Sequence, residues 1–319
     1  VTQPDRPAGR GKKLQPTPVK AAALERGLTV LTPEKLRPFV ADVGPMNVER
    51  AVVASYGRII PQSLLDAVPL WFNVHPSLLP LYRGATPIQT AISDGRPTTA
   101  LSIIAMDAGM DTGDLLAQTG PLAIGAGETY GELHDRLALT GADVLAGLLV
   151  DDGRGALRRV PQAQRARELG ITDAEIAATR TRPWTKDDRA IAVLARTRSA
   201  EQIVNHIRAL APKPAASMDI EATLNSQAFS GPLGVLRAHV ASGSPLVSGR
   251  DACDAGTLVV RTEGMFLKAA DSRWVVLDEV LPAGRRAMPV HAFLRGNAPS
   301  GPEHLRTAFG PVSGDLLPR

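Results

Sequence analysis

The sequence predicts a two-part α/β protein: an open, mostly parallel sheet flanked by helices, then a small antiparallel β-barrel. Three observations carry this. From Leu28 to Val150, short β-prone runs alternate with helix-patterned segments, the strand–helix order of an open α/β sheet. From about Ala216, short β-prone runs (GVLRAHV, GTLVVRT, MFLKAA, WVVLDEVL) are separated by turns, the spacing of an antiparallel barrel. Between these regions, residues 152–189 mix Arg, Gly and Asp and read as a linker. The chain's 319 residues suit two domains. The expected division is 1–153, a linker at 154–189, and 190–319.

The elements follow in order. Residues 3–18 (QPDRPAGRGKKLQPTP) hold four Pro and two Gly and are expected to form an exposed loop without regular structure. A helix from Pro18 stops at Gly27, a short strand covers Leu28–Leu31, and Glu34–Ala41 is helical. Ala51–Ser55 is a strand with Tyr56-Gly57 as its turn, and Pro61 opens a helix to Asp66. The apolar run Leu70–Val74 is a strand that leads into FNVHPSLLPLYRG, where Pro76, Pro80 and Gly84 enforce a loop. Thr86 and Pro87 occupy the N-cap and first position of a helix ended by Gly95. Strands at Thr99–Met106 and Leu115–Ile124 enclose the polar turn Asp107–Asp114, and Thr129–Val150 is the longest helix. Thr172 and Glu175 fit a capping box, Ser199 caps an amphipathic helix to Leu210, and Pro212 and Pro214 close it. The tail after Gly296 is Pro/Gly-rich and expected to be mobile.

The candidate chemistry lies in two of these segments. Alternate residues of a strand share a face, so Asn73 and His75 project together. In a parallel sheet the loops that follow strands share the carboxyl edge, so Asp111 is expected to meet them there. An Asn amide can donate to an oxygen that gains negative charge, and a protonated His can do the same. A carboxylate nearby favours the protonated ring and can accept a proton from an attacking amine. Such a set suits acyl or formyl transfer without a covalent intermediate, and no Ser or Cys stands in a nucleophile elbow. Blander readings stand beside this one. A His next to a Pro is commonly structural, and Asp107, Asp111 and Asp114 equally suit a Mg²⁺ site or a capped turn. The other five histidines lack metal-ligand spacing and read as structural or surface groups.

Composition narrows the class. No uninterrupted apolar run is long enough to cross a bilayer, no signal peptide opens the chain, and the single Cys253 excludes an internal disulfide. A soluble, cytoplasmic protein is expected. Net charge is +4. Residues 1–20 alone carry Arg6, Arg10, Lys12, Lys13 and Lys20 against Asp5, an excess equal to that of the whole chain. Such a basic segment reads either as a disordered terminus or as a contact for nucleic-acid phosphates.

Several stretches carry a family resemblance: QPDRPAGRGKKLQPTPVK at 3–20, ASYGRIIP at 54–61, NVHPSLLPLYRGATPIQTAI at 73–92, MDAGMDTGD at 106–114, SAEQIVNHIRAL at 199–210 and AGRRAMPVHAFLRG at 283–296. Together they resemble the methionyl-tRNA formyltransferases of the folate-dependent formyltransferase family. The resemblance implies a Rossmann-like formyltransferase domain and a C-terminal OB-like barrel that faces nucleic acid. It implies Asn73, His75 and Asp111 as the catalytic trio. 10-Formyltetrahydrofolate would be the co-substrate, held by Tyr56, Gly57, Arg58, Ile59, Ile60, Ser77, Leu78, Leu79, Pro80, Met106 and Asp107. Initiator methionyl-tRNA would be the partner, met by Arg6, Arg10, Lys12 and Lys13. A monomer and no metal are the family expectations.

The sequence departs from the family pattern in three places. The family's first strand and helix, ahead of the QPDRPAGRG loop, are missing from this sequence, which opens at Val1. Lys213 replaces the usual aromatic between two prolines, and the segment 163–183 is longer and richer in Arg. Because the Asn–His–Asp set also belongs to formyltransferases acting on sugar nucleotides or other small amines, that activity is the main alternative. An inactive, truncated paralogue that only binds nucleic acid is the other.

Overall fold

The computed structural model describes residues 1–8, 13–153, 157–224, 227–244, 253–261 and 263–296. The tail beyond Gly296 therefore lies outside the described residues. The N-terminal segment is not the irregular loop its composition predicts: β1 (Arg6–Ala8) and β2 (Lys13–Gln15) pair antiparallel, with Arg6 opposite Gln15. Pro7 fits such an edge, which demands no full ladder of N–H donors. Helix α1 (Pro18–Glu25) opens at Pro18, with the Thr17 hydroxyl accepting from the Lys20 amide. The expected strand at Leu28–Leu31 does not form; the Leu31 carbonyl accepts from Thr2 N instead. Helix α2 (Leu36–Val43), strand β3 (Arg50–Val53), helix α3 (Gln62–Asp66) and strand β4 (Leu70–His75) follow.

Helix α4 (Pro87–Ser93) starts after Thr86, whose hydroxyl bonds the Arg182 carbonyl and Thr90 rather than the helix amides. Strands β5 (Thr98–Thr99), β6 (Ser102–Ala105), β7 (Leu115–Gln118) and β8 (Leu122–Ala123) precede the long α5 (Tyr130–Gly153). The single strand expected over Leu115–Ile124 is thus split into β7 and β8. The segment expected as a linker folds into α6 (Gln162–Leu169) and α7 (Asp173–Ala178), with Thr172 and Glu175 forming the predicted reciprocal cap. Helices α8 (Ile191–Leu194) and α9 (Ala200–Leu210) lead to β9 (Ala216–Leu224), β10 (Gln227–Val240), β11 (Leu258–Arg261), β12 (Gly264–Lys268), β13 (Trp274–Pro282), β14 (Met288–Pro289) and α10 (Val290–Gly296).

Contacts divide the chain into two units. The first comprises Val1–Arg83, Leu101–Thr119 and Gly141–Ile176. Its sheet has the order β3-β4-β6-β7. The sheet is mixed rather than mostly parallel: β3 and β4 run parallel, but β4–β6 and β6–β7 are antiparallel. The reason at β6–β7 is length. Only residues 106–114 join the two strands, and a parallel crossover needs a dozen residues or more. On one face of β4, Leu70, Phe72 and Val74 pack with Leu101, Ile103, Leu145 and Leu148. The period of two then sends Asn73 and His75 to the other face.

The second unit comprises Gly84–Ala100, Gly120–Thr140 and Ala177–Arg319. Its sheet has the order β11-β12-β13-β10-β9, with β14 beside β13, and every pairing is antiparallel. Among the described residues it is an open path, a half-barrel, rather than a closed ring. Helix α9 covers it with Ile203, Ile207 and Leu210, which join Val235, Leu267, Val275 and Leu277 in one core. A full capping box between Ser199 and Gln202 fixes the start of α9. His206 is buried in this unit, stacked on Trp184 and bonded through Nε2–H to the Asp188 carbonyl. Burial holds its pKa below the usual histidine value.

Candidate active site

Strand β4 ends on His75, and the turn after β6 returns to meet it. Asn73 Nδ2 donates to Asp111 Oδ1 at 3.0 Å, and His75 Nδ1 stands 3.6 Å from Asp111 Oδ2. The three side chains therefore converge as the sequence predicts. They do so by a different route, because β4 and β6 are antiparallel and their carboxyl ends lie on opposite edges. The turn doubles back: Met106 N bonds the Trp71 carbonyl, and Ala105 N bonds the Asp114 carbonyl. Asp107 shapes it from within, its carboxylate accepting from Gly109 N and the Thr112 hydroxyl. Asp111 takes a left-handed backbone conformation, φ 56°.

The His75 ring is buried and its tautomer follows from its partner. Nε2 lies 3.0 Å from the Tyr82 carbonyl, which can only accept, so Nε2 carries the proton. Burial pushes the His75 pKa down from 6.5, more strongly than the Asp111 carboxylate and the Tyr82 bond raise it; Arg83 lowers it further. Burial thus favours the uncharged ring, protonated at Nε2, with Nδ1 toward Asp111. The protonated imidazole that the sequence suggests is favoured by the Asp111 carboxylate and opposed by this desolvation. The arrangement offers an amide donor, a proton acceptor and a carboxylate that stabilises the acceptor once it is charged.

The remaining predicted residues are placed as follows. Gly57 has φ 71°, and the Tyr56 carbonyl accepts from Gln3 Nε2 at 2.7 Å. The Tyr56 ring and Ile60 pack on the Leu36–Phe39 core, and the Tyr56 hydroxyl is buried with no partner among the described residues. Arg58 is tied to the Pro33 and Glu34 carbonyls. Ile59 is 86% exposed and Met110 61% exposed, two large apolar side chains left open on the two loops assigned to the co-substrate. Ser77 is buried and donates to the Leu81 carbonyl, and Leu79 belongs to the core with Ile104 and Leu115. Leu78 is half-buried and Pro80 buried. Among the basic residues, Arg6 bonds the Gln3 carbonyl oxygen of its side chain and Lys13 is exposed on β2; Arg10 and Lys12 lie outside the described residues. No group of three or more His, Cys, Asp or Glu side chains able to hold a metal occurs among the described residues. No described helix is long and apolar enough to cross a membrane.

Two residues that sequence reasoning passed over adjoin the site. Gln162 is 4% exposed, and its Nε2 donates to the carbonyls of Asp111 (2.9 Å) and Gly113 (2.8 Å). Its Oε1 accepts from Nε and Nη2 of Arg83 at 3.0 and 2.7 Å. Nothing in the local sequence marks Gln162, which stands in a stretch that reads as linker.

Residues 1–148 match the formyl transferase family, and residues 185–298 match the formyl transferase C-terminal domain. With the site above, these define the class as formyl transferase. Curated relatives narrow it. A methionyl-tRNA formyltransferase of Symbiobacterium thermophilum is 39% identical, over 98% of this chain and 87% of its own length. That of Bordetella bronchiseptica is 38% identical, over 94% and 91% respectively. The chain belongs to the methionyl-tRNA formyltransferase family. Among solved structures, an N-formyltransferase from Helicobacter canadensis, in complex with folinic acid and dTDP-3-aminofucose, shares the fold. Its TM-score is 0.56 at 14% identity, with 86% of both chains covered.

Proposed function

We propose that this protein transfers the formyl group of 10-formyltetrahydrofolate to the α-amine of methionine on initiator tRNA, in the cytoplasm, for translation initiation. The observation that carries the reading is the convergence of Asn73, His75 and Asp111 in a chain that spans its curated relatives almost fully. Residues 1–153, with α6 beside them, would carry the catalytic site, and 190–319 would form the tRNA-binding domain. The exposed apolar side chains of Ile59 and Met110 suit a flat heteroaromatic ring, and backbone groups of 56–60 and 106–107 suit its polar edge.

In this reading the amine attacks the formyl carbon and a C–N bond forms. The Asn73 amide has two hydrogens; one holds Asp111 and the other meets the carbonyl oxygen as it gains charge. Neutral His75 takes the amine's proton at Nδ1, and Asp111 stabilises the imidazolium. His75 then returns the proton to the departing folate nitrogen as the old C–N bond breaks. Arg6, Arg10, Lys12 and Lys13 would meet phosphates of the acceptor stem.

The test is formylation of initiator methionyl-tRNA by the purified protein with the folate donor. Formyl-methionyl-tRNA is expected, with a KM for tRNA that rises roughly 10²-fold from 50 to 200 mM salt if four cations meet phosphates. Formylation of an amino-sugar nucleotide with none of the tRNA would instead establish the small-amine alternative. Tight tRNA binding without transfer to either acceptor would establish an inactive binder.

A further inference from the structure

We propose that Gln162 is a positioning residue that sets where the Asp111 carboxylate stands relative to His75; the inference rests on the formyl-transfer reading. Gln162 opens α6, and its buried side-chain amide uses all four of its hydrogen-bonding positions. Both amide hydrogens go to carbonyls of the turn, at Asp111 and Gly113. Both acceptor positions of Oε1 go to Arg83. The amide has only one workable orientation. Turned over, its NH₂ would face the guanidinium donors and its oxygen would face two carbonyls, with every contact repulsive.

The residue so clamped is the one that needs it. Asp111 stands at φ 56°, in the left-handed region that Asp enters more readily than most side chains but still at a cost in energy. Gln162 grips the carbonyl of Asp111 itself and that of the residue two positions on, so the peptide planes on its C-terminal side cannot rotate freely. Arg83 closes the loop. It directly follows Tyr82, whose carbonyl fixes the His75 ring through Nε2–H. One two-residue stretch thus orients the imidazole directly and the carboxylate through Gln162. The spacing of Nδ1 and Oδ2 is set by this network rather than by strand β4 alone.

The experiment compares wild type with Gln162→Met, which keeps length and volume but donates to neither carbonyl. Gln162→Leu is the second variant should the first not fold, as judged by thermal unfolding. Two readouts are taken: formyl-transfer kinetics against pH, and the His75 protonation midpoint by histidine NMR. The expected result is a fall in kcat on the order of 10–100-fold, with KM for both substrates within about twofold. The His75 midpoint and the acid limb of kcat should both move to lower pH, because the carboxylate that raises the ring's pKa has drifted away. A merely structural glutamine would leave both in place. Unchanged kcat, or a fall in kcat with the His75 midpoint unmoved, overturns the proposal. If wild type itself fails to formylate methionyl-tRNA, the functional reading falls, and the NMR midpoint still decides whether Gln162 positions Asp111.

Discussion

Replacing His75 by Gln is expected to lower kcat for formyl transfer by about 10²–10⁴-fold, with a folded protein and little change in KM for either substrate. The reason is the division of labour at the ring. Nε2–H is committed to the Tyr82 carbonyl, which leaves Nδ1 as the position that gains and loses the proton. A Gln side chain can still donate to Tyr82 and fill the buried space, but it offers no basic nitrogen. Single-turnover formylation assays at saturating donor measure the loss. A variant within tenfold of wild type would show that proton transfer at Nδ1 does not limit the reaction. Because the ring is buried, a thermal unfolding curve must accompany the assay to separate chemistry from folding.

Gly113→Ala is expected to have the second-largest effect, from a residue that touches no substrate. A Cβ at this position would stand 1.8 Å from the Ala105 carbonyl oxygen and 2.9 Å from its carbon. Both are backbone atoms of β6, which cannot swing aside as a side chain would. The turn must therefore lift, and with it Asp111, two residues away and bonded to Asn73. A displacement near 1 Å at a reacting group costs about 10²-fold in rate, and overpacking costs about 1–3 kcal/mol of stability. Gly120→Ala, where nothing lies within 4 Å of the added carbon, is the control and should leave both unchanged. Steady-state kinetics and a denaturant melt on the two variants check this. Equal behaviour of the two would mean that the turn's packing against β6 does not place Asp111.

How much of this was legible in the sequence depends on the range of each interaction. The pairing of Asn73 with His75 on one face was readable because a strand's period of two is local. Asp111 was found by its turn chemistry, yet the reason offered, a shared carboxyl edge of parallel strands, does not hold for β4 and β6. The nine-residue connection between β6 and β7 forces an antiparallel return there, and that length was visible in the sequence. Residues 76–101, between β4 and β6, are long enough for either direction, so that pairing was not legible. The capping box at Thr172 and the cap at Ser199 were readable because each lies within one turn of its helix, and the structure adds Gln202 as the reciprocal partner of Ser199. The β1–β2 pairing was missed because Pro and Gly content argued against it, whereas a three-residue edge strand tolerates Pro7. Gln162 was not readable at all. Its partners, Arg83 and Asp111, are far away in the chain, and its own neighbours carry only the composition of an exposed Arg-rich stretch.

The claim on which the chemistry rests is that His75 stands ready as a neutral base, protonated at Nε2 and carrying no proton at Nδ1, which faces Asp111. A ¹⁵N-histidine NMR titration of the intact protein tests it directly. The account predicts the neutral Nε2–H tautomer at pH 7 and a protonation midpoint below 6.5, coincident with the acid limb of the transfer rate. An imidazolium at pH 7, or a neutral ring protonated at Nδ1, would contradict it.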